Sequence, residues 1–504
     1  EERAWACGGR AALRCFGRGP QHASMAGAQC RHAGTLRHAA TEPHAKDASG
    51  KGWGLAMQQP NQPDQTSSCE VLAPRQMVSV GVALFSMFFG AGNLILPPLL
   101  GVQAGQDALP ALIGFFVAGV GLPVLGIVAV ALAGTVRDLA ARVHPVFSRA
   151  FVAVVYLAIG PCLAIPRTSS TAYEMLLPLL PTSVDPGLMR LAFSVAFFVL
   201  AYALAMHPGR ITRLLGKITG PLLIVLIIAV VGSALFSEGE PLAPASAPYD
   251  ANPAVQGFLT GYQTMDLLAS LTFGLVIATS IRGMGVTEPA GVTREVCRAG
   301  LIAGVLMMLI YGGLAVVGVR LSESLAGATN GATVLTASAT LHFGTVGTAV
   351  VAAIFLLACL NVCIGLIGCC GTYFSQEAPR IPYRGWALAF ALFSCIASNA
   401  GLDAILAFSV PLLSALYPVA IVLVIMGMCH SVCDRLPQMW PWVVGVVAVV
   451  GVLGSVRDAV APGAWLPIDA LPLASWGLGW VVPAIAAACI GALHAEVSAR
   501  GACR

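Results

Sequence analysis

The residues of this 504-residue chain best placed to do chemistry form one cluster, Phe88-Phe89-Gly90-Ala91-Gly92-Asn93-Leu94, followed by Pro97-Pro98. Glycines weaken a helix and prolines remove backbone donors, so this stretch predicts a break in an otherwise apolar helix near Gly92. Inside a bilayer such a break frees N–H and C=O groups that can hold a carboxylate or a cation. Small residues also serve helix packing; the adjacent Asn93, both donor and acceptor, favours the functional break. A second patch, Ser270-Leu271-Thr272-Phe273-Gly274, predicts a matching interruption near Gly274. Asp266, eight residues beyond the expected start of its apolar run at Phe258, reads as a proton carrier, an outer-gate acid or a solvated helix end. Arg167 and Glu174 follow the third run and read as solvated loop charges or as a pair across an outer vestibule.

Other chemistries lack their residues. Cys359 with Cys363, and Cys429 with Cys433 beside His430, share helix faces at i, i+4 spacing, but cysteine in a membrane helix usually packs as a small soft residue, and no transition metal is expected. There is no phosphate-binding G-x-x-x-x-G-K-[ST] and no zinc-binding H-E-x-x-H, so nothing is arranged to hydrolyse ATP or peptides. The cofactor expectation is none, and the chain is not expected to be an enzyme.

The elements that position these residues follow from composition. The chain is 57% hydrophobic and 10% charged, with 55 glycines and a mean hydropathy of +0.83. A soluble chain carries about 25% charge, so this one is expected to be an all-α integral membrane protein in contact with lipid. Apolar runs fall near 76–96, 109–132, 150–165, 188–206, 218–236, 258–281, 299–319, 346–370, 385–400, 404–428, 440–456 and 476–493, about twelve transmembrane helices. Alternate loops on one side hold twelve Lys/Arg, among them Arg137, Arg142, Arg213, Arg298 and Arg435; the other side holds Arg167, Arg190, Arg320 and Arg457. Positive charge marks the cytoplasmic side, so both termini are expected there, with 496–504 as a cytoplasmic tail. The net charge of +4 comes from residues 1–56, with eight basic and four acidic groups; the remainder holds 19 of each. Residues 1–75 are expected to be a disordered leader outside the working protein, with Met57 as an alternative start, and no nucleic-acid partner is expected.

The first and sixth runs are the interrupted ones. That spacing predicts an inverted repeat of five plus five spans, about 76–236 and 258–428, with the last two runs as additions to a transporter domain of 76–495.

The sequence from 88 to 98, FFGAGNLILPP, with Gly101-Val102-Gln103-Ala104-Gly105 behind it, resembles the signature of the bacterial branched-chain amino acid:cation symporters. Pro166-Arg167-Thr168, Gly261-Tyr262-Gln263-Thr264-Met265-Asp266, Ala358-Cys359-Leu360 and Leu416-Tyr417-Pro418 agree, so the resemblance covers about 76–495. It implies the fold of the amino acid-polyamine-cation superfamily, with discontinuous helices 1 and 6. It also implies uptake of leucine, isoleucine and valine coupled to Na+ or H+ across a bacterial inner membrane. Carried onto this sequence, it places the substrate carboxylate on Ala91 and Gly92 beside Asn93, the amino group on Ser270, and the aliphatic side chain on Phe273 near Gly274. The sodium site of the related fold would fall on Ser86, Phe89, Ala358 and Asn361. Its two eighth-helix hydroxyls are replaced by Asn361 and Val362, so Asn361 reads equally as a cation ligand or as interhelical glue. Two alternatives remain: a symporter of another small neutral or apolar solute, and a passive channel, which the lack of a repeated filter or charged ring disfavours.

Overall fold

In this computed structural model the described residues are 71–180, 185–207, 215–235, 241–461 and 464–502; most of the expected leader lies outside them. Among the described residues there is helix and no strand. With no water to satisfy the backbone, long apolar runs close their hydrogen bonds within themselves.

Every apolar run of the sequence becomes helix. The first is divided into α1 (Pro74–Phe88) and α2 (Ala91–Ala104); the second is α3 (Ala108–Phe116) and α4 (Leu122–Ala133). The third is α5 (Pro145–Leu157) and α6 (Ala164–Leu176), separated by a kink at Gly160-Pro161, and the fourth and fifth are α7 (Pro186–Ala205) and α8 (Gly220–Leu235). The sixth is again divided, into α9 (Pro253–Tyr262) and α10 (Asp266–Gly283). Then come α11 (Pro289–Arg320), α12 (Gly331–Glu377), α13 (Tyr383–Ser398), α14 (Leu402–Met428), α15 (Met439–Val460) and α16 (Val481–Ala502). Among the described residues, ten helical stretches are long and apolar enough to cross a membrane. The 15 residues of α1 and 16 of α13 fall short of a bilayer core of about 30 Å at about 1.5 Å per residue, and α1 needs α2 to complete its crossing.

The two halves pack alike although their sequences show no convincing identity. Helix α2 lies so close to α11 that a Cβ on Gly101 would strike the Ala315 carbonyl, and one on Gly318 would strike that of Pro98. Helix α9 lies on α3 in the same manner, with Gly114 against the Ala254 carbonyl and Gly257 against that of Ala111. In each case half of a broken helix docks on the second helix of the other half, through a reciprocal pair of glycines. That is the packing an inverted repeat requires, and small residues are what let membrane helices approach this closely.

Contacts between loops respect alternate crossings. Arg137 pairs with Glu377, and Arg142 with Asp434 at 3.2 Å, all on the predicted inner side. The Gln106 N–H meets the Ala243 carbonyl at 3.0 Å on the other. Around the bundle Leu191, Val199, Val225, Leu309 and Ile396 are exposed, a surface suited to lipid.

Candidate functional site

The first helix stops where Phe89 and Gly90 leave helical geometry, at φ/ψ of −76/90 and −118/−162. The break thus lies just ahead of Gly92, which sits in the first turn of α2. Asn93 fixes this turn: its Oδ1 accepts the Gly90 N–H at 3.2 Å. The first intrahelical bond of α2 runs from the Leu94 N–H to the Gly90 carbonyl at 3.3 Å, so the N–H groups of Ala91 and Gly92 precede the ladder at the positive end of the helix.

The sixth span breaks elsewhere than expected. Gly274 lies inside unbroken α10, where an added Cβ would meet Val130 of α4 at 3.2 Å. The chain departs from the helix at Gln263, Thr264 and Met265, the last at φ 66, and restarts at Asp266. A single glycine costs a helix only about 1 kcal/mol, too little to open one held on both sides by packing. The polar run Gln263-Thr264 before an acidic helix start carried the signal.

These two breaks meet. Asn93 Nδ2 donates to Asp266 Oδ2 at 2.6 Å, the Tyr311 hydroxyl donates to the same oxygen at 3.1 Å, and Asn93 also contacts that hydroxyl. Asp266 is 2% exposed, which rules out a solvated helix end. Arg167, expected in an outer loop, lies in α6 at 8% exposure, because the Gly160-Pro161 kink turns the third span inward ahead of it. Its Nη1 donates to the Gln263 carbonyl at 3.0 Å, and its Nη2 lies against Gly92. Burying an ionised guanidinium is costly without such acceptors.

A cavity of about 40 Å³ lies between the breaks, lined by Ala91, Gly92, Asn93, Arg167, Asp266 and Phe273. It has room for about three waters, so a branched amino acid enters only when its walls part. Phe88 packs on Phe273 with ring centroids 5.2 Å apart, and Val362 and Leu366 complete an apolar side. The arrangement offers an anion a helix N-terminus and a guanidinium, offers a cation a carboxylate, and offers an aliphatic group an aromatic wall.

Other expected residues lie apart from this cavity. Ser270 is fully buried, but its hydroxyl donates to the Leu267 carbonyl at 2.6 Å and faces Gly126 of α4. Phe89 stacks between Phe85 and Tyr311, at 4.9 and 6.0 Å, and with Ser86 and Ala358 is wholly buried. Asn361 is 0% exposed, and neither its Oδ1 nor its Nδ2 has a hydrogen-bond partner. Tyr311 was missed in the sequence; a lone phenol inside an apolar span must find a polar partner, and that was its signal.

Known proteins share both the sequence pattern and the fold. The family model described as branched-chain amino acid transport protein matches residues 74–498. The branched-chain amino acid permease BraB of Bacillus subtilis is 39% identical over 430 residues, covering 83% of this chain and 95% of the permease. The branched-chain amino acid transport system 2 carrier protein of Pseudomonas aeruginosa is 38% identical, covering 81% and 93%. Among solved structures, a manganese transporter of Eremococcus coleocola superposes with a TM-score of 0.56 at 15% identity, covering 86% of this chain and 98% of that one. A nucleobase-cation-symport-1 family transporter does so at 0.55 and 14%, covering 84% and 93%. At such identities the superpositions speak to the fold, which is that of these transporters. Sequence likeness along nearly the whole described chain goes further: this protein belongs to the branched-chain amino acid transport protein family, a family of transporters and not of enzymes.

Proposed function

We propose that the chain imports leucine, isoleucine and valine by alternating access, as a multi-pass protein of a bacterial inner membrane with both termini cytoplasmic. Moving Arg167 into the bundle leaves only Arg190, Arg320 and Arg457 on the outer side, which strengthens the charge asymmetry behind that orientation. The observation that carries the reading is the meeting of both helix breaks at one buried cavity. The substrate carboxylate sits on the N–H groups of Ala91 and Gly92 with Arg167 beside it. The amino group faces the carbonyl end of α1, the negative end of that half-helix. Phe273 and Phe88 take the aliphatic side chain. No covalent step is needed; rocking the spans around the cavity exposes it to one side and then the other.

Phe273→Ala is expected to weaken leucine, isoleucine and valine alike, raising KM about tenfold, since burying such a side chain contributes about 1.5 to 3 kcal/mol. Uptake kinetics for the three amino acids check this, and an unchanged KM removes Phe273 from the site.

Asp266 is the proposed carrier of the coupling proton. It is a buried carboxylate at the junction of the first, sixth and seventh spans, and among the described residues it has no ion-pair partner within 4 Å. Sodium coupling is the second reading, favoured by the buried, unpartnered amide of Asn361, whose Oδ1 would join the carbonyls of Ser86, Phe89 and Ala358. Uptake of radiolabelled substrates into proteoliposomes under an imposed pH gradient or sodium gradient decides between them. Accumulation is expected with the pH gradient alone. If sodium drives uptake, Asn361→Ala should alter ion dependence more than substrate choice; an unchanged sodium response would exclude Asn361 as a ligand. Failure to accumulate any of the three amino acids under either gradient would overturn the functional reading.

A further inference from the structure

Leu416-Tyr417-Pro418 of α14 lines no part of the central cavity, yet Tyr417 lies within electrostatic reach of Asp266 and Arg167, which do. Its side chain is 0% exposed, and its hydroxyl proton finds no acceptor among the described residues. A phenylalanine would fill the same space without burying a polar group, so packing alone does not account for the phenol. Two contacts place it across the break of the sixth span. Its ring stacks on Tyr262, the last residue of α9, with centroids 4.6 Å apart, and Tyr262 in turn meets Phe258 edge-on at 5.1 Å. Its hydroxyl oxygen lies against the Leu267 N–H, in the first turn of α10. One residue of the tenth span thus touches both ends of the gap formed by Gln263, Thr264 and Met265.

That gap needs holding. Met265, at φ 66, sits in the left-handed region that a side chain disfavours, and the first N–H groups of α10 have no acceptor within their own helix. Thr264 Oγ1 takes the Asp266 N–H at 3.4 Å, and the ladder of α10 begins only with the Ala269 N–H on the Met265 carbonyl at 3.0 Å. Between them the Leu267 N–H is left to Tyr417, while Arg167 holds the Gln263 carbonyl on the other side of the break. Thr264, Met265 and Asp266 form one wall of the central cavity. A shift at either end of the gap therefore moves that wall, and with it the carboxylate that meets Asn93 and Tyr311.

We propose that Tyr417 is a positioning residue for transport: from the tenth span it clamps Tyr262 and caps the Leu267 N–H, and so holds the cavity wall made by the sixth-span break in its substrate-binding shape. The proposal rests on the central cavity being the substrate site. Counterflow of radiolabelled L-leucine in proteoliposomes tests it on the full chain carrying Tyr417→Phe, which keeps the ring stack and loses the hydroxyl, or Tyr417→Leu, which loses both. KM is expected to rise about threefold to fivefold in Tyr417→Phe and about tenfold or more in Tyr417→Leu, while the maximal exchange rate and the yield of monodisperse protein stay within about twofold of the unmodified chain. A packing role alone gives the opposite split, with yield or maximal rate lowered in Tyr417→Leu, KM unmoved, and Tyr417→Phe indistinguishable from the unmodified chain. That result would overturn the positioning role and leave the functional reading intact. A raised KM in Tyr417→Leu alone would keep the clamp and overturn the cap. Should Tyr417→Leu fail to elute as a monodisperse protein, Tyr417→Phe decides alone. An unmodified chain that exchanges none of leucine, isoleucine and valine would overturn both the positioning role and the functional reading.

Discussion

Gly92→Val is expected to abolish uptake, by about a hundredfold or more, while the chain still inserts into the membrane at its normal level. A Cβ at this position would collide with the Arg167 guanidinium and stand 3.4 Å from the Gln263 carbonyl. The branched valine therefore displaces the cation from the helix N-terminus and crowds the N–H groups proposed to hold the carboxylate. Hydrogen bonds to a charged group contribute about 1.5 to 3 kcal/mol each, so losing two removes about 3 to 6 kcal/mol of binding. Insertion should be spared, because valine is more apolar than glycine and the flanking prolines and asparagine that shape the turn remain. Alanine at the same position should give an intermediate loss, since it meets the guanidinium without the added branches. Uptake and membrane abundance measured together test this; near-normal uptake by the valine variant would take Gly92 out of the site.

The spans and the doubled architecture were legible because lipid imposes one rule on every segment, a closed hydrogen-bond ladder under an apolar surface. The interrupted first helix was legible too, since Gly90, Gly92, Asn93 and Pro97 weaken the ladder within a single window. The sixth helix was misplaced by about ten residues because glycine count is a poor guide there. Gly274 is accommodated in α10, whereas the real break at Gln263-Thr264-Met265 contains no glycine and depends on the Arg167 guanidinium holding the Gln263 carbonyl. That contact joins residues 96 positions apart, and no local pattern encodes it. The same holds for Asp266. Its distance from the start of an apolar run left three readings open, and only Asn93 and Tyr311, from two other spans, place it in the interior. Ser270 illustrates the converse error: a polar residue in a broken span need not face the break, and its hydroxyl is satisfied by its own helix.

Asp266→Asn should separate transport from its energy source. The substitution keeps an oxygen where Asn93 donates at 2.6 Å and Tyr311 at 3.1 Å, so the junction of the three spans retains its shape while the ionisable group is lost. A carrier that moves one proton per substrate gains about 1.4 kcal/mol for each pH unit across the membrane, or about tenfold accumulation. The unmodified protein should therefore concentrate leucine about tenfold per imposed pH unit. The asparagine variant should bring the two sides only to equality, yet still exchange internal for external leucine at a rate near normal, because exchange returns a loaded carrier and requires no net proton movement. Counterflow and gradient-driven uptake in the same proteoliposomes read the two activities separately. Accumulation that survives in the variant would move the proton site elsewhere. Loss of exchange together with accumulation would instead place the Asp266 carboxylate against the substrate amino group, making it part of the binding site and leaving the coupling ion to the unpartnered amide at Asn361.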